Sequence, residues 1–141
     1  MFFISFLKET FSSIVSNLAL IKDFRCVAVA DGFYEWKREE KEKIPYYFVR
    51  EDKKTIFFAG IFENDQFCLI TEEASENIKE VHHRQPTILN QSDVNRYLNL
   101  ELSGSSFLKE RKQPELIFYK ISKDVNKPTN NTVSLIQKIS S

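Results

Sequence analysis

The sequence predicts an α+β fold: a curved antiparallel sheet or barrel with a few helices at its flanks. Short apolar runs rich in aromatic and β-branched residues recur along the chain, separated by polar turns. The 141 residues include 13 Phe, 5 Tyr and 1 Trp but only 3 Gly and 4 Pro, a balance that favours packed strands over disorder. The connections between runs are short, so neighbouring strands pair mostly as antiparallel hairpins. A chain of this length suffices for one domain, taken here as 1–141.

Residues 2–7 read as the tail of a buried strand. Thr10 suits a helix N-cap, with Phe11, Ile14, Val15 and Leu18 following at helical spacing, and the helix ends near residues 21–24. Cys26-Val27-Ala28-Val29-Ala30 is a buried strand. The charged stretch 38–43 reads as a solvated hairpin loop, 45–49 as the next strand and 50–54 as a polar turn. In the strand over 55–62, Gly60 marks a bulge or a close backbone approach. Glu63-Asn64-Asp65 leads to a strand over 66–71. Residues 75–79 read as one or two helical turns delivering His82, and 87–89 as a short strand. Asn90 caps a helix carrying Val94, Tyr97 and Leu98. Ser103-Gly104-Ser105-Ser106 is a flexible break and 107–112 a short helix. The last strand covers 116–121, and 124–132, with Pro128, is loop.

Twenty basic and 20 acidic residues cancel, so phosphate binding requires a local cluster rather than a global field. The run 37–43 mixes both signs and reads as solvated; Lys120, Lys123 and Lys127 form a weak basic cluster. Cys26 and Cys68 lie in apolar runs and read as buried, reduced thiols. No Cys-x-x-Cys or His-rich spacing points to a metal. No run approaches the roughly 20 apolar residues of a membrane helix. Residues 1–7 lack the basic flank and cleavage site of a signal peptide, so a cytoplasmic location is expected.

Two strings carry candidate chemistry. In Ala30-Asp31-Gly32-Phe33-Tyr34-Glu35-Trp36-Lys37, one carboxylate sits among aromatics after a strand. Partial desolvation there raises a carboxyl pKa toward the acid/base range; alternatively, strand alternation sends Glu35 to solvent. Val81-His82-His83-Arg84-Gln85-Pro86 contains both histidines of the chain. An extended segment would point them to opposite sides, one facing a groove. A carboxylate and an imidazole are a minimal proton-transfer pair, while an ordinary surface or core histidine is the plainer reading. Arg84 suits a bidentate phosphate contact or a surface salt bridge. Trp36 and Tyr34 suit base stacking or core packing.

Together these strings resemble the SOS-response-associated peptidase (SRAP) family, the abasic-site processing proteins. Arg25-Cys26-Val27-Ala28-Val29-Ala30-Asp31-Gly32-Phe33-Tyr34-Glu35-Trp36 is similar to its R-C-[LI]-x-P-A-D-G-[FW]-[FY]-E-W motif. Further matches follow in order: Pro45-Tyr46-Tyr47-Phe48, Phe58-Ala59-Gly60-Ile61-Phe62-Glu63 and Ile70-Thr71-Glu72-Glu73-Ala74. The histidine string and Val125-Asn126-Lys127-Pro128 with Asn130-Asn131 complete the set. The resemblance implies recognition of abasic sites in single-stranded DNA. It also implies a covalent thiazolidine crosslink through an amino-terminal cysteine, with associated lyase and autopeptidase activity. Carried over, Glu35 is the acid/base residue. His82 assists sugar ring opening, β-elimination and crosslink reversal, and Arg84 contacts phosphate. The resemblance implies a monomer with no cofactor, no metal and no membrane partner, nucleoid-associated when bound to DNA.

The chain departs from that pattern at its start. Position two is Phe2, which has no thiol, and Cys26 and Cys68 are interior and supply no α-amine. The family's I-N-A-R-x-E-T segment aligns with Ile4-Ser5-Phe6-Leu7-Lys8-Glu9-Thr10, putting Ser5 at the active-site, DNA-facing asparagine and Leu7 at a DNA-binding arginine. The expectation is a SRAP-like domain incomplete at its N-terminus, its first strands missing, that does not perform the covalent step. The alternatives are a non-covalent single-strand DNA binder and a non-functional fragment.

Overall fold

In the computed structural model of the chain, residues 24–63, 66–101 and 111–139 are described. The elements are β1 (Arg25–Ala30), β2 (Phe33–Glu39), β3 (Glu42–Arg50), β4 (Ile56–Glu63), β5 (Gln66–Leu69), β6 (Thr71–Glu73), β7 (Arg84–Pro86), β8 (Ile88–Leu89), α1 (Gln91–Leu98) and β9 (Leu116–Lys120). Two 3-10 turns follow, Lys123–Asn126 and Val133–Ile136. The strand before residue 8, the helix capped by Thr10, the break at 103–106 and the segment 107–110 lie outside the described residues. So does Ser5.

Every strand pairing among the described residues is antiparallel. One sheet runs β1-β4-β5, with β8 also paired to β4; a second runs β2-β3-β9; β6 and β7 form a two-stranded ribbon. The expected α+β class and antiparallel sheets are present. The sheets curl around a shared core, and among the described residues they do not close into a barrel.

The core lies between the two larger sheets. Phe33, Phe48, Phe58, Ile56, Leu69 and Ile88 meet there with at most 3% exposure. Phe33 stacks on Phe48 at 5.0 Å and meets Phe58 edge-on at 5.6 Å, so one ring joins both sheets. Each such phenyl ring stabilises the fold by about 2–3 kcal/mol through burial. On the outer face of the first sheet, α1 lays Tyr97 over Ala59 and Leu89. The Tyr97 hydroxyl donates to the Gly60 carbonyl at 2.9 Å, and the Arg25 guanidinium lies 5.0 Å from the Tyr97 ring centre. On the outer face of the second sheet, Tyr34, Tyr47 and Ile121 are covered by Trp36, Tyr119, Val125 and Ile136.

Several local readings are corrected. The charged stretch 38–43 is mostly strand: Glu39 pairs with Glu42, leaving a two-residue turn in which Glu40 adopts φ 49°. All six of its residues are exposed at the ends of two strands, which composition alone does not separate from a loop. The strand over 66–71 is interrupted at Ile70 before β6 begins. Residues 75–79 form turns rather than regular helix, held by Ile78 and Lys79 amides donating to the Ser75 carbonyl. Asn90 precedes α1 as expected, yet its side chain donates to the Lys112 carbonyl instead of capping the helix. Gly60 is a close approach, since an added Cβ would lie 3.0 Å from Cys26 Sγ and 3.0 Å from the Cys68 carbonyl oxygen.

Arg111 ties the ribbon to the first sheet. Its Nη2 donates to Glu72 Oε1 at 2.7 Å and its Nε to the Ile88 carbonyl at 2.9 Å, with the side chain 2% exposed. Removing one partner of a buried ion pair leaves a charge in a dry site. Glu72→Ala is expected to cost about 2–3 kcal/mol, read as a lower urea midpoint at unchanged slope. A loss near zero would mean that water replaces the carboxylate.

Candidate proton-transfer site

Gly32 opens the site because no side chain fits there. An added Cβ would lie 2.4 Å from Cζ and Oη of Tyr47 and 2.6 Å from the Phe48 carbonyl oxygen. The Tyr47 ring therefore passes directly over the glycine and brings β3 tight against the start of β2. From that point β2 alternates between two covered faces. Phe33 enters the central core, and Tyr34 and Trp36 join the outer aromatic cluster. Glu35 shares the inner face with Phe33 and stands opposite Tyr46 in the register.

That placement decides between the two sequence readings of Glu35. Alternation does not send it to open solvent, because the inner face of the sheet is the core side. Glu35 is half-buried. Desolvation pushes its carboxyl pKa up to about 7, against a smaller lowering from the Trp36 backbone N–H. Near neutral pH the group therefore exists in both protonation states, as an acid/base residue must.

His82 sits at the end of the 75–81 turns. Its Nδ1 is 2.9 Å from the Arg84 carbonyl oxygen and 3.2 Å from the Arg84 amide nitrogen. The Arg84 amide donates to Nδ1, so the backbone of Arg84 holds the imidazole from one side. The expectation that His82 and His83 face opposite sides fails: their rings lie 4.6 Å apart, tilted by 31°. The backbone there is irregular and bent rather than strand, so alternation does not apply.

Arg84 is anchored. Its Nε donates to Thr71 Oγ1 at 3.0 Å, and its Nη2 donates to the Thr71 carbonyl at 2.5 Å and to Oγ1 at 2.9 Å. The side chain is exposed while so held. Among the described residues no hydrogen bond joins Glu35 to His82. Lys37, on the same face of β2 as Glu35, pairs with Glu39 at 3.0 Å.

A cavity of about 690 Å³ opens on the other face of β2, lined by Tyr34, Trp36, Lys43, Asn126, Lys127 and Asn131 among others. The Trp36 Nε1–H donates to Asn126 Oδ1 at 2.7 Å. The sequence reading named Trp36 but not Asn126 or Thr71 as site residues; both sat in strings already singled out, yet their contacts span 90 and 13 residues. Cys26 and Cys68 are free, and burial raises both thiol pKa values, which makes them poor nucleophiles at neutral pH. Among the described residues, no group of three or more His, Cys, Asp or Glu side chains converges on a metal-sized site. No helix among them is long and apolar enough to cross a membrane.

The profile of the SOS response associated peptidase (SRAP) family matches residues 7–128. The chain belongs to this family. Among its SRAP relatives, the abasic site processing protein YoqW of Bacillus subtilis is 32% identical over 143 residues, covering 92% of this chain and 64% of YoqW. The abasic site processing protein HMCES of Gallus gallus is 31% identical, covering 80% of this chain and 43% of HMCES. This SRAP chain thus spans less than two thirds of the length of these relatives. A solved structure of a protein from Bacteroides thetaiotaomicron superposes with a TM-score of 0.72 at 26% identity, covering 86% of this chain and 60% of the other. The matched span includes Glu35, His82, Arg84 and Trp36 but not Ser5.

Proposed function

We propose that this SRAP chain takes part in processing abasic sites in single-stranded DNA, with Glu35 and His82 as its proton-transfer residues. The observation that carries the reading is the Glu35 carboxyl, raised to about 7 by desolvation on the inner face of β2. When an amine adds to the open-chain aldehyde of an abasic sugar, the resulting hydroxyl must leave as water. A protonated Glu35 supplies that proton, and the carboxylate then takes one back in the reverse direction. His82 abstracts a proton from the sugar to open the ring or start β-elimination. Arg84 offers its exposed guanidinium edge to a backbone phosphate.

Crosslinking needs an amine and a thiol on one residue. Between Met1 and Ser141 none supplies both, since residue two is Phe2 and both cysteines are internal. This SRAP chain is expected to bind a single-stranded oligonucleotide with an abasic site more tightly than the intact strand, measured by fluorescence anisotropy. Equal affinity would overturn the abasic reading. When the chain is preceded by the amino-terminal block of YoqW, a covalent band is expected on a denaturing gel. Glu35→Gln should slow its appearance about 100-fold; an unchanged rate would remove Glu35 from the mechanism.

One observation favours a second reading, non-covalent binding of single-stranded DNA. The cavity on the outer face joins aromatic rings with Lys43 and Lys127, the pairing used by proteins that stack bases and hold phosphates. Salt-sensitive binding with no preference for the abasic strand would select it.

A further inference from the structure

We infer that Asn126 is a positioning residue for Trp36, fixing the indole as one wall of the outer-face cavity. The inference rests on the second reading above, that single-stranded DNA binds at this cavity.

The Trp36 Nε1–H bond to Asn126 Oδ1, at 2.7 Å, joins β2 to a loop 90 residues further along the chain. Asn126 is exposed and Trp36 half-buried, so burial does not force the two groups together. The acceptor is held by a frame independent of the indole. The Ser122 hydroxyl accepts from the Asp124 amide at 3.1 Å, capping the 3-10 turn that ends at Asn126. Asn130 then closes the loop twice: its Nδ2 donates to the Asp124 carbonyl at 2.9 Å and its amide to the Lys127 carbonyl at 2.9 Å. Val125, next to Asn126, packs into the Tyr34–Tyr47 cluster and pins the loop to the sheet. On its other side the indole meets Tyr34, with ring centres 6.3 Å apart.

The ring is therefore oriented before any ligand arrives. A preordered aromatic loses less rotamer freedom on binding, and a base stacked on it is held correspondingly more tightly. Lys43 and Lys127 line the same cavity and place positive charge where a stacked nucleotide would carry its phosphate.

Trp36 is the only tryptophan of the chain, so intrinsic fluorescence reports this one ring. Asn126→Ala is expected to shift the emission to the red, to steepen acrylamide quenching and to lower affinity for an intact oligothymidylate about 3–10-fold. Asn126→Asp retains the acceptor. It should keep the native emission and, at high salt where its added charge is screened, the native affinity. Trp36→Phe removes the donor, so Asn126→Ala on that background should cost no further affinity. Unchanged emission and quenching in Asn126→Ala would overturn the assignment, as would additive losses in the double variant. Shifted emission with unchanged affinity would uphold the positioning contact and overturn the reading that DNA lies over Trp36.

Discussion

Gly32→Ala is expected to destabilise the protein by about 3–5 kcal/mol, enough to leave much of it unfolded at 37 °C. A single methyl at that position would overlap the Tyr47 ring, whose Cζ and Oη lie 2.4 Å from where the new Cβ would stand. Relief by moving Tyr47 is closed off. The ring is 4% exposed and sits between Tyr34 and Tyr119, at 5.3 and 5.9 Å. Relief by moving the backbone is opposed by the Phe48 carbonyl, 2.6 Å from the same methyl, and by the β2–β3 ladder that begins one residue later. Overpacking that cannot be absorbed by a flexible side chain reaches the upper end of mutational costs. Urea unfolding followed by far-ultraviolet circular dichroism measures it, and a loss under 1 kcal/mol would show that β2 and β3 can part there. Tyr47→Ala in the same chain should recover part of the loss, because it removes the obstructing ring.

The second large effect is on pH dependence. The Glu35 carboxyl rises from its ordinary 4.5 to about 7 in the folded protein. The folded state thus keeps a proton that the unfolded chain releases, and the associated stability is full below pH 4.5 and lost as pH rises through 7. The full shift would correspond to about 3 kcal/mol, and partial solvent access reduces it to about 2 kcal/mol. Glu35→Gln carries no such proton. Its stability is expected to stay level between pH 5 and 8 where the parent declines, making the variant the more stable of the two at pH 8. Urea midpoints at both pH values test this, and parallel slopes would refute the raised pKa.

The sequence was most legible where the local pattern is strong. The apolar runs at 26–30, 45–49, 55–62 and 116–121 all correspond to strands, and Gly60 is a close approach. It was least legible where charge and structure part company. Arg38, Glu39, Glu42 and Lys43 form paired strand ends although their composition is that of a loop. The ribbon strand Arg84–Pro86 is three residues long and stands on contacts to Thr71, Glu72 and Glu73 rather than on any periodicity of its own. The histidines were mis-oriented for a related reason: alternation governs extended backbone, and theirs is irregular and bent.

The candidate groups were visible in the chain itself, because a carboxylate among aromatics and an imidazole beside an arginine are local features of the sequence. So was the SRAP family, whose motifs are local strings. The desolvation of Glu35 was decided by packing, because its face of β2 is the one turned toward the core. The contact of His82 with the Arg84 backbone, the anchoring of Arg84 on Thr71 and the hold of Asn126 on Trp36 were decided by the tertiary structure too. Each depends on hydrogen bonds whose partners are set by strand register and loop closure, and no local pattern in the sequence records them.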